Sequence, residues 1–360
     1  MSKSIYVITP FYYPEINGVS FVVQKNVKAL IELGYSPIVL TKCGSKSISS
    51  EKVVTFDLKG NGTIANRING EVDKYLNFIS KMSKDSLVIC HCWHNSFSNL
   101  FLDNTINRRI TLYSHGTSFL NSSSLIKNFP RIINYIPEII SFKKRLNKLS
   151  VLTSITLNKK NYRCHDLKLF RGKVFFIENP GIDRSFDENA EIQVPYKDYY
   201  LIISNFEKIK NQYWLIKNII KNKISENFVF IGSSKSKYFF KIKKLLRKSR
   251  DNNIKLVVGA SDSETSFYLK NCKTLLFPGK NDFSPMTLIE AIKYNIPFIS
   301  FNTVQMHPKC GYYTNNKRDF IGRILNNRET IKTDNSEYYE DVFSFKKYKE
   351  NIEKLISLLD

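Results

Sequence analysis

Short apolar runs alternate along the whole chain with longer segments whose apolar residues recur every three or four positions, and polar turns separate the two kinds. The first forty residues set the pattern. Ser4–Thr9 reads as a short strand, Phe11–Gly18 as an aromatic-rich loop, and Ser20–Leu33 as a helix with Val22, Val23, Val27, Leu30 and Ile31 at helical spacing. Gly34 ends that helix before the strand Pro37–Leu40. Leu87–Cys90, Ile110–Ser114, Val151–Ile155 and Val174–Ile177 continue the series as strands. A second series has strands at Tyr200–Ile203, Phe228–Ile231, Lys255–Val258, Thr274–Phe277 and Phe298–Ser300, with helices at Gln212–Lys221, Lys237–Lys248 and Ser263–Asn271. Alternation of this kind predicts parallel, doubly wound α/β sheets. Two series predict two domains, 1–183 and 199–340, joined by the polar stretch 184–198. The last segment, Phe343–Leu359, is amphipathic and predicts a helix within a closing piece, 341–360. No internal repeat is evident.

Composition narrows the class. A chain of 360 residues with 42% hydrophobic and 13% aromatic content can fill two cores and is not a low-complexity or disordered polymer. Its six cysteines include no C-x-x-C pair, so neither a disulfide framework nor a zinc ribbon is expected, and a reducing, intracellular compartment fits. The start, MSKSIYVITPFYYP, lacks the apolar core of a signal peptide, and no run approaches the roughly 18 apolar residues that span a bilayer. Lys and Arg number 55 against 32 Asp and Glu, a net charge of +23. Nucleic acid, an anionic membrane surface and compositional bias toward Lys, Asn and Ile are the three readings of that excess.

In open parallel sheets, ligands lie beyond the carboxyl ends of the strands, so chemistry is sought just after each strand. Asn17-Gly18-Val19 opens the first helix, where unpaired N–H groups face an anion. His115-Gly116 follows Ile110–Ser114 and is placed to hydrogen-bond a substrate oxygen, although a lone histidine there also serves as a structural cap. His91 and His94 flank Cys92 and Trp93 without a remote partner at zinc spacing, which favours packing or substrate lining over a metal. Lys208 and Lys210 follow Tyr200–Ile203 and can supply charge to a diphosphate, unless they are merely exposed loop lysines. The strongest stretch runs from Phe277 to Ile292. There Ser284 reads as an N-cap, Pro285 as the first residue of a helix Pro285–Tyr294, and Asp282 and Glu290 as carboxylates for two parts of one extended ligand.

Taken in order, these pieces resemble the family 4 glycosyltransferases, retaining sugar transferases of the GT-B fold. The resemblance rests on Phe11-Tyr12-Tyr13-Pro14 with Asn17-Gly18-Val19, His115-Gly116, Asn179-Pro180-Gly181-Ile182-Asp183, Lys210-Asn211, Phe230-Ile231-Gly232, Val258-Gly259 and Asp282 through Ala291. It implies two Rossmann-like domains facing across a cleft, a UDP- or GDP-sugar held mainly by the second domain, and a final helix returning to the first. By carry-over, Gly18 and Lys210 meet the donor diphosphate, Glu290 the ribose, and the loop Gly259–Ser261 the base. Asp282 and the run Phe283, Ser284, Met286 and Thr287 hold the sugar and phosphates, and His115 stands at the reacting centre. No metal and no cofactor is implied. The acceptor is a saccharide, lipid-linked in many such enzymes, which points to bacterial surface polysaccharide or lipopolysaccharide synthesis.

Two positions depart from the family pattern. The usual E-x7-E pair is Asp282-x7-Glu290, and the arginine often found five residues before the lysine is Asn205. A non-catalytic sugar-nucleotide-binding subunit and a nucleotide-sugar epimerase of the same fold are therefore alternatives. The excess charge finds an outlet in Leu125–Leu149, where Lys127, Arg131, Lys143, Lys144, Arg145 and Lys148, with Arg108 and Arg109 just before, accompany a single acid, Glu138. Interleaved aliphatic residues suit the headgroup region of an anionic membrane, a peripheral site on the inner face of the cell membrane. In a competing arrangement Ile132, Ile133, Ile136 and Ile139 pack on the sheet. No nucleic-acid-binding motif is present.

Overall fold

The computed structural model describes residues 4–15, 17–107, 109–117, 119–120, 124–182, 184, 196–232, 236–249, 253–279, 282–301, 311–326 and 334–360. Arg108, Asp183, Lys280 and Asn281 lie outside them, as does most of the stretch read as a linker. The chain divides into two compact units, Met1–Asn179 with Phe345–Asp360, and Pro180–Ser344.

The first unit is built on β1 (Ser4–Ile8), β2 (Ser36–Lys42), β3 (Lys52–Phe56), a small ribbon of β4 (Leu58–Lys59) and β5 (Asn69–Gly70), then β6 (Leu87–His91), β7 (Arg109–Ser114), β8 (Val151–Ser154) and β9 (Lys173–Phe176). The main sheet is parallel throughout, in the order β3-β2-β1-β6-β7-β8-β9. Its helices are α1 (Gly18–Glu32), α2 (Val72–Ser80), α3 (Ser96–Asn104), α4 (Leu125–Asn134), α5 (Ile136–Leu146) and α6 (His165–Leu169). The chain's last helix, α13 (Phe345–Ser357), also belongs here: Lys349 bonds Glu32 of α1 at 2.8 Å, and Tyr348 is buried beside Tyr113 and Asn26.

The second unit repeats the plan. Strands β10 (Tyr200–Ile203), β11 (Phe228–Gly232), β12 (Ile254–Val258), β13 (Thr274–Phe277), β14 (Phe298–Phe301) and β15 (Gly311–Thr314) form a parallel sheet in the order β12-β11-β10-β13-β14-β15. Alternate residues of each strand face opposite layers. Leu201, Val229 and Leu275 pack with α10 (Met286–Lys293), whereas Ile202, Phe228 and Phe230 pack with α7 (Gln212–Lys221), α8 (Lys237–Ser249) and α11 (Lys317–Leu325). Also in this unit are α9 (Asp262–Lys270) and α12 (Ser336–Val342).

Both sheets have the doubly wound order in which the chain reverses direction beside the first strand, between β1 and β6 and between β10 and β13. The α/β architecture expected from alternation is thus present in both units. The closing segment differs in detail. The helix begins at Phe345 rather than Phe343, because α12 ends immediately before it and Phe343 is buried in the second unit's core.

Candidate functional site

At the switch point of the second sheet, two loops meet. The loop after β10 carries a short 3-10 turn, Lys208–Lys210, and ends at Asn211, whose left-handed backbone (φ 61) redirects the chain into α7. Asn211 Nδ2 bonds the Pro278 carbonyl at 3.2 Å, tying this loop to the one after β13. Across the same seam the Lys210 ammonium contacts the Asp282 carboxylate, both side chains remaining partly open to solvent. Asn205 stands in the first of these loops, where the Gln212 side chain bonds its carbonyl at 2.7 Å.

The helix beyond Asp282 starts one residue later than its sequence implies. Pro285 has an extended backbone (φ −72, ψ 121) and occupies the N-cap position without a side-chain hydrogen bond, so Ser284 is not the cap and Pro285 is not the first helical residue. A residue preceding proline is held away from helical geometry, and here Pro285 itself also remains extended. Phe283 and Ser284 are buried beneath the turn. The first N–H groups of α10, at Met286 and Thr287, have no partner within the helix, the usual condition of a helix start and a good one for an anion.

Glu290 is not a solvated helix residue. It is 1% exposed, and Arg184 grips it from Nε to Oε1 at 2.5 Å and from Nη2 to Oε2 at 3.3 Å. Burial raises the Glu290 pKa while the guanidinium pulls it back. Arg184 also reaches Asp262 Oδ1 at 2.6 Å. Its guanidinium therefore joins Glu290, expected to meet the ribose, to Asp262, which directly follows the Gly259–Ser261 loop expected to face the base. The Ser261 side chain is itself engaged in a reciprocal cap: Oγ accepts from the Glu264 N–H at 3.1 Å, and the Ser261 N–H donates to Glu264 Oε2 at 2.7 Å. Nothing in the sequence pattern singled out Arg184, the first residue of the stretch read as a linker.

In the first unit, Asn17 caps α1 by accepting from the Ser20 N–H at 2.9 Å, and Gly18 is exposed as the first residue of the helix. After β6 and β7 the structure collects aromatic and titratable groups. The rings of His91, Tyr113 and His115 stack in sequence, each neighbouring pair 5.0 Å apart. Burial, with Arg163 nearby, pushes His115 down to about 4, so it is neutral at pH 7, and its covered Nε2 has no hydrogen-bond partner. Asp166 accepts from Trp93 Nε1 at 2.9 Å and from the Ser114 hydroxyl, which fixes the end of β7 directly before His115. The turn there requires Gly116, whose φ is +96.

His94 is packed, as expected, with its ring against Phe119, Tyr135 and Phe142, and it also belongs to a buried polar set. Its Nδ1 lies 2.9 Å from Glu138 Oε2, which also accepts from Arg145 Nη1 at 2.9 Å, while Asn99 donates to Oε1 at 2.9 Å. Arg145 completes the set with a two-pronged grip on Asp103 at 2.8 and 2.7 Å. Gly62 is obligatory beside it, since a Cβ there would fall 2.1 Å from Glu138 Oε1. Arg145 is thus 4% exposed and is not one of the cations available to a membrane. Lys127, Lys143 and Lys144 are exposed and Arg131 is half-buried over the Tyr135 ring. Of the four isoleucines in the packing arrangement, Ile132 is half-buried and the other three are not packed away. Ile133, Ile136 and Ile139 are exposed, along with Ile126, Phe129 and Ile140, the last 74% open.

Comparison with known proteins follows the same lines. Residues 185–315, all within the second unit, match the family described as glycosyl transferases group 1. None of the curated proteins matches the chain. Among solved structures, sucrose-phosphate synthase from Thermosynechococcus elongatus is similar at a TM-score of 0.76 and 15% identity, covering 99% of both chains. The pneumococcal O-GlcNAc transferase GtfA, solved with UDP and GlcNAc, is similar at a TM-score of 0.67 and 12% identity over 99% of both chains. HepE of Anabaena, solved with UDP and glucose, gives a TM-score of 0.67 at 12% identity over 99% of this chain and 100% of its own. The second unit therefore carries the group 1 glycosyltransferase match, and the chain as a whole has the fold of the GT-B glycosyltransferases.

Proposed function

We propose that the protein is a retaining glycosyltransferase that moves a hexosyl or N-acetylhexosaminyl group from a UDP- or GDP-sugar to a saccharide acceptor, lipid-linked and presented at a membrane, in bacterial surface polysaccharide or lipopolysaccharide synthesis. The observation that carries the reading is the meeting of Lys210, Asp282 and the open start of α10 at the switch point of the second sheet, with Glu290 one turn further in. The UDP bound to GtfA and to HepE supports the donor class.

On this reading the donor's diphosphate lies against the N–H groups of Met286 and Thr287, with the Lys210 ammonium beside it. Departure of a nucleoside diphosphate builds negative charge on its terminal phosphate, and a fixed cation with a helix start lowers the barrier by meeting that charge where it develops. Asn205 adds no charge, so Lys210 carries this work alone unless Lys208 assists. Asp282 orients Lys210 before the donor arrives and then faces the sugar. A neutral His115 in the first unit can accept or donate one hydrogen bond to a sugar hydroxyl without adding a charge. No step requires a metal.

Membrane attachment is read from α4 and α5, whose outer faces combine Ile126, Phe129, Ile133, Ile136 and Ile140 with Lys127, Lys143 and Lys144. Among the described residues no helix is long and apolar enough to cross a membrane. The test is turnover of UDP- and GDP-sugars with and without a polyprenyl-linked saccharide in vesicles. Acceptor-dependent release of nucleoside diphosphate with retained anomeric configuration is expected. Equal turnover without acceptor supports the epimerase instead, and binding with no turnover supports the non-catalytic subunit.

A further inference from the structure

Glu290 is the carboxylate on which nucleoside binding rests in the reading above, yet both of its oxygens are bonded by one guanidinium and almost nothing of the side chain is open to solvent. Arg184 Nε and Nη2 occupy them, and Nη1 of the same guanidinium reaches Asp262. The exposures of the three side chains differ: 2% for Glu290, 16% for Arg184 and 54% for Asp262. A buried carboxylate requires a cation or a set of donors, whereas a solvated one does not. Glu290 thus depends on Arg184 when nothing else is bound, while Asp262 offers Arg184 a second anchor at the surface.

We infer that Arg184 is a latch on the nucleoside site: it holds Glu290 in the donor-free protein and yields that carboxylate to the ribose hydroxyls of an arriving nucleotide while keeping its bond to Asp262. The inference rests on the ribose role of Glu290. Two hydroxyls of one ribose would donate to the same Oε1 and Oε2; each oxygen keeps a second lone pair, but the side chain is 2% exposed with Arg184 against it, so latch and ribose compete for the same approach. Apparent nucleotide affinity is then lowered by the fraction of molecules in the latched state. A nucleotide without those hydroxyls has nothing to exchange for the guanidinium and gains little when the latch is removed. Nucleotide binding also frees one edge of the Arg184 guanidinium, five donors in a planar fork, within reach of the bound ligand.

The experiment is calorimetric titration of the wild type, Arg184→Ala and Arg184→Lys with UDP, GDP and ADP, repeated with the 2′,3′-dideoxy form of the nucleotide that binds. Arg184→Ala is expected to bind the ribonucleotide about fivefold tighter or more, the lower end of ordinary coupling between two linked equilibria. Arg184→Lys should fall between, because lysine compensates Glu290 without clasping both oxygens. Affinity for the dideoxy form should change much less. Unchanged or weaker ribonucleotide binding by Arg184→Ala, or equal changes for both nucleotides, would overturn the latch. Failure of the wild type to bind any of the three nucleotides would overturn the reading of the site itself, and the latch with it. If Arg184→Ala does not fold, Arg184→Lys decides alone, and an affinity at or below the wild type contradicts the proposal.

Discussion

Lys210 and Asp282 stand on different loops and are separated by 72 positions, yet they restrain one another across the seam between β10 and β13. A lysine held in this way is positioned before the reaction begins, which is the condition under which a fixed charge lowers a barrier most. Lys210→Met should therefore reduce kcat by about 10²–10³-fold, the range for removing one stabilising group from a developing anion, with a smaller rise in donor KM. Steady-state kinetics with the active donor measures it, and a variant with unaltered kcat would remove Lys210 from the leaving-group role. Asp282, Glu290 and Lys210 stood out in the sequence because each lies beyond the end of a strand, in the loop or in the helix that follows. Arg184 did not, because its partners lie 78 and 106 positions away and only the folded unit brings them to one guanidinium.

Helix α5 buries a charged pair beside the apolar Phe142 and Leu146. Its inner face presents Glu138 and Arg145, each under 5% exposed, and its outer face presents Ile136, Ile139 and Ile140. The buried charges are tolerable because His94, Asn99 and Asp103 satisfy them from neighbouring elements. Apolar spacing alone points the isoleucines inward, which is why the sequence left their direction open. The two faces respond to mutation in opposite ways. Ile140→Glu with Lys143→Glu and Lys144→Glu should abolish binding to anionic vesicles while leaving the melting temperature nearly unchanged. Tight, saturable binding of duplex DNA at physiological salt would contradict the membrane assignment. Glu138→Ala should cost about 1–3 kcal/mol by leaving His94, Asn99 and one edge of Arg145 without their acceptor while Asp103 still holds Arg145, read from denaturant unfolding. A loss below about 1 kcal/mol would mean the set is not acting as a buried network. Other elements were hidden for simpler reasons. β15 is four residues long, α12 is seven, and β3 is an edge strand with little alternation in its burial.

At the scale of the molecule, the alternation of strands and helices sufficed for two parallel α/β sheets, whereas the order of strands within each depends on crossovers that no local pattern encodes. The burial of the histidines was equally hidden. His91, His94, His115 and His165 all belong to the first unit, and burial lowers the pKa of each. For a histidine depressed in the folded state, the unfolded chain binds more protons as pH falls below about 6.5, so folding stability declines with acid in that window. Each such group removes up to about 1.4 kcal/mol per pH unit until its own folded pKa is reached. Hydrogen exchange between pH 7.5 and 5 should therefore show the first unit loosening before the second, and a uniform response would contradict the buried, neutral state of these side chains. The central claim is that a nucleotide-sugar binds the second unit through Glu290 and the start of α10. Titration calorimetry of the wild type and Glu290→Gln with UDP-, GDP- and ADP-sugars tests it most directly. One donor should bind the wild type with 1:1 stoichiometry and lose at least about a hundredfold in affinity in Glu290→Gln, the sum of two hydrogen bonds to a charged carboxylate. No binding by any donor, or equal affinity in both proteins, would contradict it.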